Sequence, residues 1–343
     1  MPRRPLLLSL GLLLAVGGSV VGATAMGSVE VSWTLAARVL WAQLGGPPVD
    51  APVAARIVWQ LRLPRAVLAL LVGGGLSVVG VAMQALVRNP LAEPYVLGIS
   101  SGASAGASLF YLGFLPPLVA RHVSMPLAAV GGGWATLLVV YAVAQRGARL
   151  SIPRLLLAGV ALSALMGAVT SFITFASPEP DKLRAVLFWL LGSLSGTQWT
   201  MLTVPAVVTL SGGVVLWALA RPLDAFLLGE EAALHLGVPV ETLKHVLLAL
   251  AALITGTLVA VSGAIGFVGL IVPHAVRAVV GVPHRRVLPL SFLGGALFLL
   301  WADVAARSLL PGQELPVGIL TALCGVPFFL MLLRRGTYHF GIS

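Results

Sequence analysis

Very few residues in this 343-residue chain are equipped for chemistry. The six histidines, at 122, 235, 245, 274, 284 and 339, never recur at i, i+4 on one helix face, so the pattern offers no zinc-type ligand pair and no metal site. Neither lysine, Lys182 nor Lys244, follows a glycine-rich loop, and no G-x-x-x-x-G-K-[ST] is present to cradle nucleotide phosphates. Cys324 is the only cysteine and sits in an apolar stretch; it reads as a buried structural residue, with no disulfide framework. One acid, Asp303, falls inside an apolar run, four residues before Arg307. That spacing reads as a helix-end ion pair rather than a proton relay, which disfavours ion-coupled secondary transport, the alternative from another functional class. No catalytic residue is nominated and the chain is not expected to be an enzyme.

Two polar segments are more informative. In Arg88-Asn89-Pro90-Leu91-Ala92-Glu93-Pro94, two prolines end one helix and start the next, forcing a tight turn. The turn is either simply rigid or places Asn89 and Leu91 at a constriction. The segment Leu228-Gly229-Glu230-Glu231-Ala232-Ala233-Leu234-His235-Leu236-Gly237 reads as a short soluble helix with Gly237 as its C-cap. It is either a solvated connector or a helix that a soluble partner grips in a groove.

The elements that must hold these segments are set by composition: 59% of residues are hydrophobic and only 9% charged. Soluble domains carry about a quarter charged residues, and several blocks here reach the roughly 20 apolar residues that cross a bilayer. The formal charge of +10 comes in short clusters between apolar blocks, as topology signals do, and not as the basic face a nucleic acid would need. The predicted fold is an all-α integral membrane protein, one transmembrane domain over 1–343. Its spans are expected at about 5–27, 64–87, 95–115, 125–145, 152–176, 198–219, 244–262, 265–281, 287–306 and 316–333. The third and eighth are short and rich in Gly and Ser, suited to a packed interior. Ala23-Thr24-Ala25 looks like a signal-peptidase site, yet the apolar run before it is long, and a retained first span is expected. Spans two to five and seven to ten form similar blocks of four running in opposite directions, as inverted repeats do. With ten spans both termini share one side. Placing them in the cytoplasm puts thirteen Lys and Arg inside and eight outside. Outside, Trp33 to Leu44 is predicted as an interfacial amphipathic helix, and Phe188–Leu194 as a short helix partly in the membrane. Inside, 220–243 is predicted as two short soluble helices.

The stretches LRLPRAVLALLVGGGLSVVGVAMQALVRNPLAEPYVLGISSGAS at 61–104, RLLLAGVALSAL at 154–165 and FWLLGSLSG at 188–196 carry a resemblance. So do LLGEEAALHLGV at 227–238, VSGAIGFVGLIVPHAVR at 261–277, HRRVLPLS at 284–291 and ELPVGILTALCGVPFFLMLL at 314–333. Together they closely resemble the FecCD-type permeases of ABC importers for iron–siderophores, haem and cobalamin, from about residue 30 to 335. The resemblance implies a type II importer permease: a homodimer in the cytoplasmic membrane whose interface forms the pathway. ATP and Mg would be bound by two separate cytoplasmic ATPase subunits that engage Leu228, Gly229, Glu230, Glu231, Ala232, Ala233, Leu236 and Gly237. An extracytoplasmic binding protein would dock on positions matching Arg62, Arg65 and Arg307. Gate residues of the family match Asn89, Leu91, Ser151 and Ile152, the last departing from the hydroxyl residue of the cobalamin permease. The segment Asp181–Trp189 looks closer to haem permeases, and Lys182 and Arg184 would either attract haem propionates or be solvated loop charges. Haem is the expected cargo, with iron–siderophore or cobalamin the alternative. The tail 336–343 is given no role.

Overall fold

A computed structural model describes residues 3–27, 29–147, 149–177, 180–310 and 312–335, with the side chains of 3–6, 180, 181, 184 and 335 outside that description. The tail 336–343 therefore lies outside the described residues.

Sixteen α-helices are described in chain order. They are α1 (Arg3–Ala25), α2 (Trp33–Gln43), α3 (Pro52–Arg56), α4 (Leu63–Val87), α5 (Ile99–Tyr111), α6 (Pro117–Ala120), α7 (Met125–Ala144) and α8 (Ile152–Phe175). There follow α9 (Pro180–Leu190), α10 (Thr203–Ala218), α11 (Ala220–Leu227), α12 (Glu230–His235), α13 (Val240–Ser262), α14 (Val268–Val280), α15 (His284–Ala306) and α16 (Val317–Arg335). Eight helical stretches are long and apolar enough to cross a membrane, and α5 and α14 complete the ten predicted spans. The latter two have only 13 residues each. At 1.5 Å per residue they reach about 20 Å, too little for a hydrocarbon core of about 30 Å. They therefore begin inside the bundle. This corrects the expected spans 95–115 and 265–281: Pro94–Leu97 is a separate 3₁₀ turn, and 263–267 is not helical.

The two four-helix blocks are built alike. In the first, α4 ends on the left-handed residue Arg88 (φ 53°), a non-helical stretch follows, and α5 starts after the left-handed Gly98 (φ 77°). In the second, α13 ends on Gly263 (φ 67°) and α14 starts after Phe267 (φ 68°). Each short helix then packs on the long helix that follows it, α5 on α7 and α14 on α15. The blocks also interlock, with α4 against α15 and α13 against α7.

α4 is the hub, buried along almost its whole length. Small residues make that possible. A Cβ added at Gly73 would fall 2.1 Å from the Gly295 carbonyl oxygen of α15, and one at Gly80 would fall 2.0 Å from that of Gly269 in α14. Between α5 and α7 the same crossing uses Gly102 and Gly132, where an added Cβ at Gly132 would lie 2.2 Å from Gly102 O. Close backbone approach at small residues is how helices associate in lipid, where burial of apolar side chains gains nothing.

α2 is the predicted amphipathic helix, capped by Ser32 and packing Ala36 and Val39 against Ala25 and Val58. Two further expectations are corrected. The helix predicted at Phe188–Leu194 is instead α9, ending at Leu190; beyond it the backbone pairs with the break after α13 (Ser193 N–H to Ser262 O, 2.8 Å) and with Val317 (its N–H to Gly192 O, 3.0 Å). Cys324 is exposed on α16, not buried. An apolar run in a membrane chain says only that a helix suits lipid, and here that face of α16 turns away from the subunit's own bundle. Between α7 and α8 a two-stranded hairpin, β1 (Gln145–Arg146) and β2 (Arg149–Leu150), pairs Gln145 with Leu150.

Replacing Gly80 by Val should lower the thermal midpoint of the purified protein, since α4 and α14 must separate to admit the side chain, at about 1–3 kcal/mol or more. Gly18→Ala, where nothing lies within 4 Å, is the control expected to leave the midpoint in place. Equal melting of both variants would remove the close crossing as a determinant of the fold.

Candidate functional site

At one end of the bundle α11 packs against α15 and α4, and α12 against α13. α12 closes with the Schellman geometry that Gly237 allows: φ is 80° there, its N–H reaches Leu234 O at 2.9 Å, and Val238 N–H reaches Ala233 O at 3.0 Å. Ala233 faces inward, while Leu228, Leu234 and Leu236 are 57%, 57% and 64% exposed. Three exposed leucines surround this short helix, a patch of the kind a protein partner can cover.

α12 is fixed from behind by a buried lysine. Lys244, 3% exposed in the first turns of α13, donates to Glu230 Oε2 of α12 at 2.6 Å and to Glu241 Oε1 at 3.0 Å. It also reaches the carbonyl of Leu150 at 3.4 Å, and Glu241 Oε2 accepts the Leu150 N–H at 2.8 Å. Leu150 directly precedes Ser151 and Ile152. The other predicted gate segment is touched as well: a Cβ added at Gly229 would lie 3.7 Å from Arg88 Nη1, next to Asn89. Asn89 makes an Asx turn, its Oδ1 accepting the Leu91 N–H at 2.9 Å. α12 thus adjoins both predicted gate segments, although Asn89 and Leu91 are joined to Ser151 and Ile152 by no hydrogen bond among the described residues. Beside it, Asp224 of α11 accepts the His284 backbone N–H at 2.9 Å and pairs with the ring Nδ1 at 2.6 Å, tying α11 to the start of α15. Burial acts to raise the Asp224 carboxyl, but the hydrogen bonds from His284 outweigh it and hold it below its usual range.

At the opposite end the three arginines read as docking residues are all engaged internally. Arg62, 6% exposed, donates to Thr24 O at 2.9 Å and Ala25 O at 2.7 Å, and also to Val29 O. Arg307 donates to Ala23 O at 2.6 Å and Met26 O at 3.0 Å. Both satisfy the carbonyls that α1 leaves open at its C-terminus. Arg65 spans two carboxylates, Asp303 at 2.9 Å and Glu314 at 2.9 Å. Asp303 is 1% exposed and also faces Arg307 Nε at 3.5 Å, so the predicted helix-end pair is present with Arg65 as its closer partner. Glu314, at 44% exposed, is the accessible edge of the cluster.

Of the expected substrate-mouth pair, Lys182 is exposed near the start of α9, and the side chain of Arg184 lies outside the described residues. Two residues at the centre were not anticipated. Glu93 Oε1 accepts the Phe267 N–H at 2.5 Å, and the Tyr95 hydroxyl both donates to Ile265 O at 2.7 Å and accepts the Ile265 N–H at 3.0 Å. They bridge the breaks of the two blocks. Lys244 was passed over too, although a lone lysine at the foot of an apolar block, three residues after Glu241, was a signal for an ion pair.

Comparison with known proteins gives this geometry a setting. The model of the FecCD transport family matches residues 10–335. The cobalamin import system permease protein BtuC of Halobacterium salinarum is 45% identical over 84% of this chain and 75% of its own. The hemin transport system permease protein HmuU of Yersinia pestis is 41% identical over 92% of this chain and 91% of its own. A solved structure of a metal-chelate type ABC transporter in an inward-facing conformation superposes with a TM-score of 0.83 at 32% identity, covering 98% of this chain and 100% of that one.

Lys244→Met should lower the thermal midpoint, because Glu230 and Glu241 are left facing each other with no cation. Both carboxylates are about a third exposed, so the loss is about 1–3 kcal/mol, below that of a fully buried pair. Adding Glu230→Gln should recover part of it. Strictly additive losses in this double-mutant cycle would show that Lys244 and Glu230 do not interact.

Proposed function

The chain belongs to the FecCD transport family, a multi-pass permease of ABC importers for metal chelates, and on that premise we propose that its cargo is haem. It works as a homodimer in the cytoplasmic membrane with both termini inside. Two ATPase subunits grip α12, supply ATP and Mg, and drive the gate segments at Asn89–Leu91 and Ser151–Ile152. A single observation supports the coupling part of this reading: the leucine-rich surface of α12 sits on Lys244, whose cluster holds the residue immediately before Ser151. For the cargo, the support is Lys182 on α9, together with a haem permease among the relatives. Cobalamin is the second reading, favoured by the 45% identity to the Halobacterium salinarum permease.

Reconstitution with the ATPase and binding protein encoded alongside it tests both parts. ATP-dependent uptake of haem, exceeding that of cobalamin and a ferric siderophore, is expected. Leu234→Glu with Leu236→Glu should release the ATPase and abolish uptake while leaving insertion intact. Uptake of cobalamin alone would overturn the cargo, and an undiminished ATPase complex would overturn the coupling surface.

Docking of the binding protein is assigned to the Arg62, Arg65 and Arg307 cluster. Its carboxylates would compete with Glu314 for Arg65, the most reachable of the three guanidiniums. Glu314→Gln should then tighten docking several-fold at low salt, with the gain fading as salt screens it. Binding of the reconstituted transporter that is indifferent to Glu314 at every ionic strength would leave these arginines as internal anchors of α1 only.

A further inference from the structure

A crevice of about 330 Å³ runs along the outer surface of the bundle between α10, α4 and α15. Val78, Leu210, Val214, Leu288 and Phe292 line it, and Trp217 closes one end. Trp217 also lines a second hollow, of about 240 Å³, whose other walls include Arg221 and Arg285. The two hollows meet at Trp217 and together trace a path along the surface, apolar along the membrane-spanning helices and cationic at the end where α11 and α12 lie. Trp217 is fixed at the boundary: its indole N–H reaches the Arg285 carbonyl at 3.3 Å, and the Arg285 guanidinium carbon lies 5.5 Å from the ring centroid. Both arginines are exposed and the lining of the mouth contains no carboxylate. Asp224, one turn from Arg221, is taken up by His284.

We propose that this path binds one anionic phospholipid, an acyl chain lying in the crevice and the phosphate at Arg221 and Arg285. An amphipathic indole belongs at the depth of the lipid headgroups, and basic pockets between membrane helices recognise anionic headgroups there. Guanidinium forks match phosphate oxygens in two-point contact. A soluble partner can reach the arginines but not the crevice, which faces the hydrocarbon region along α10 and α15. The lipid therefore explains both halves of the path, and it does so whichever chelate is carried.

The test uses the permease copurified with its ATPase, stripped of lipid in mild detergent and titrated with phosphatidylglycerol or phosphatidylcholine of identical chains under native mass spectrometry. Wild type should prefer phosphatidylglycerol. Arg221→Gln with Arg285→Gln should weaken that lipid about twenty-five-fold, two cations contributing about a factor of five each, and barely change phosphatidylcholine. Gly213→Leu, at a crevice position where nothing lies within 4 Å of an added Cβ, should fill the slot and weaken phosphatidylglycerol with the arginines intact. Inorganic phosphate in large excess should fail to displace the lipid. The proposal is overturned if the double variant keeps its affinity for phosphatidylglycerol or if wild type binds both lipids equally. It is likewise overturned if phosphate displaces the lipid, which would leave an anion site without a chain. Loss of the ATPase from the double variant with lipid binding unchanged would assign the arginines to that partner instead.

Discussion

A backbone that breaks inside a membrane has no water to satisfy its exposed N–H and C=O groups, so the protein must supply every partner itself. This chain breaks between α4 and α5 and again between α13 and α14; the first break is closed by local bonds, and the second is met by the other block. Glu93 and Tyr95, from the first, take up the N–H groups of Phe267 and Ile265 and the carbonyl of Ile265 in the second. The half-length helix α14 starts from these contacts, and the rest of the bundle is arranged to allow them. α4 and α14 approach through Gly80 and Gly269, and α5 and α7 through Gly102 and Gly132, because anything larger would hold the breaks apart. The same requirement recurs at the end of α1, whose open carbonyls are met by the guanidiniums of Arg62 and Arg307. Polar side chains in this interior thus serve the backbone first.

That priority explains what could and could not be read from the sequence. Long apolar blocks, proline and glycine punctuation and the two short soluble helices depend on local physics, and they appear where the pattern put them. The shortness of the third and eighth spans was visible in their Gly and Ser content. What was not visible is how a span starts when its neighbour supplies the missing hydrogen bonds: the 3₁₀ turn at Pro94–Leu97 and the left-handed Phe267 are set by contacts about 170 residues away along the chain. The three arginines were legible as a group with a purpose, but the hold of Arg62 and Arg307 on α1 is carried by backbone carbonyls that no sequence pattern marks. Cys324 failed for a different reason. In lipid an apolar helix has no need to be buried in its own subunit, so hydrophobicity predicts the solvent and not the neighbour.

The charged groups also show how motion at one end can be felt at the other. α15 is anchored at both ends: His284 holds Asp224 of α11, and 19 residues later Asp303 holds Arg65 of α4, with Arg307 binding α1 one turn further on. A rod of that length reaches about 28 Å, nearly the thickness of the hydrocarbon core. A displacement of α11 and α12 would therefore pull on two things at once. Through Lys244 and Glu241 it loads Leu150 and the residues that follow it, at the near end. Through His284 it loads the arginine cluster at the far end. Pro289 lies inside α15 and removes one of the hydrogen bonds that would stiffen the rod, so bending is favoured near the driven end. The ion pairs of this rod, Asp224 with His284 and Asp303 with Arg65 and Arg307, lie at its two ends, while Glu93 at the centre is spent on the Phe267 N–H. Work delivered by a partner at the α12 face would reach the opposite end through this rod.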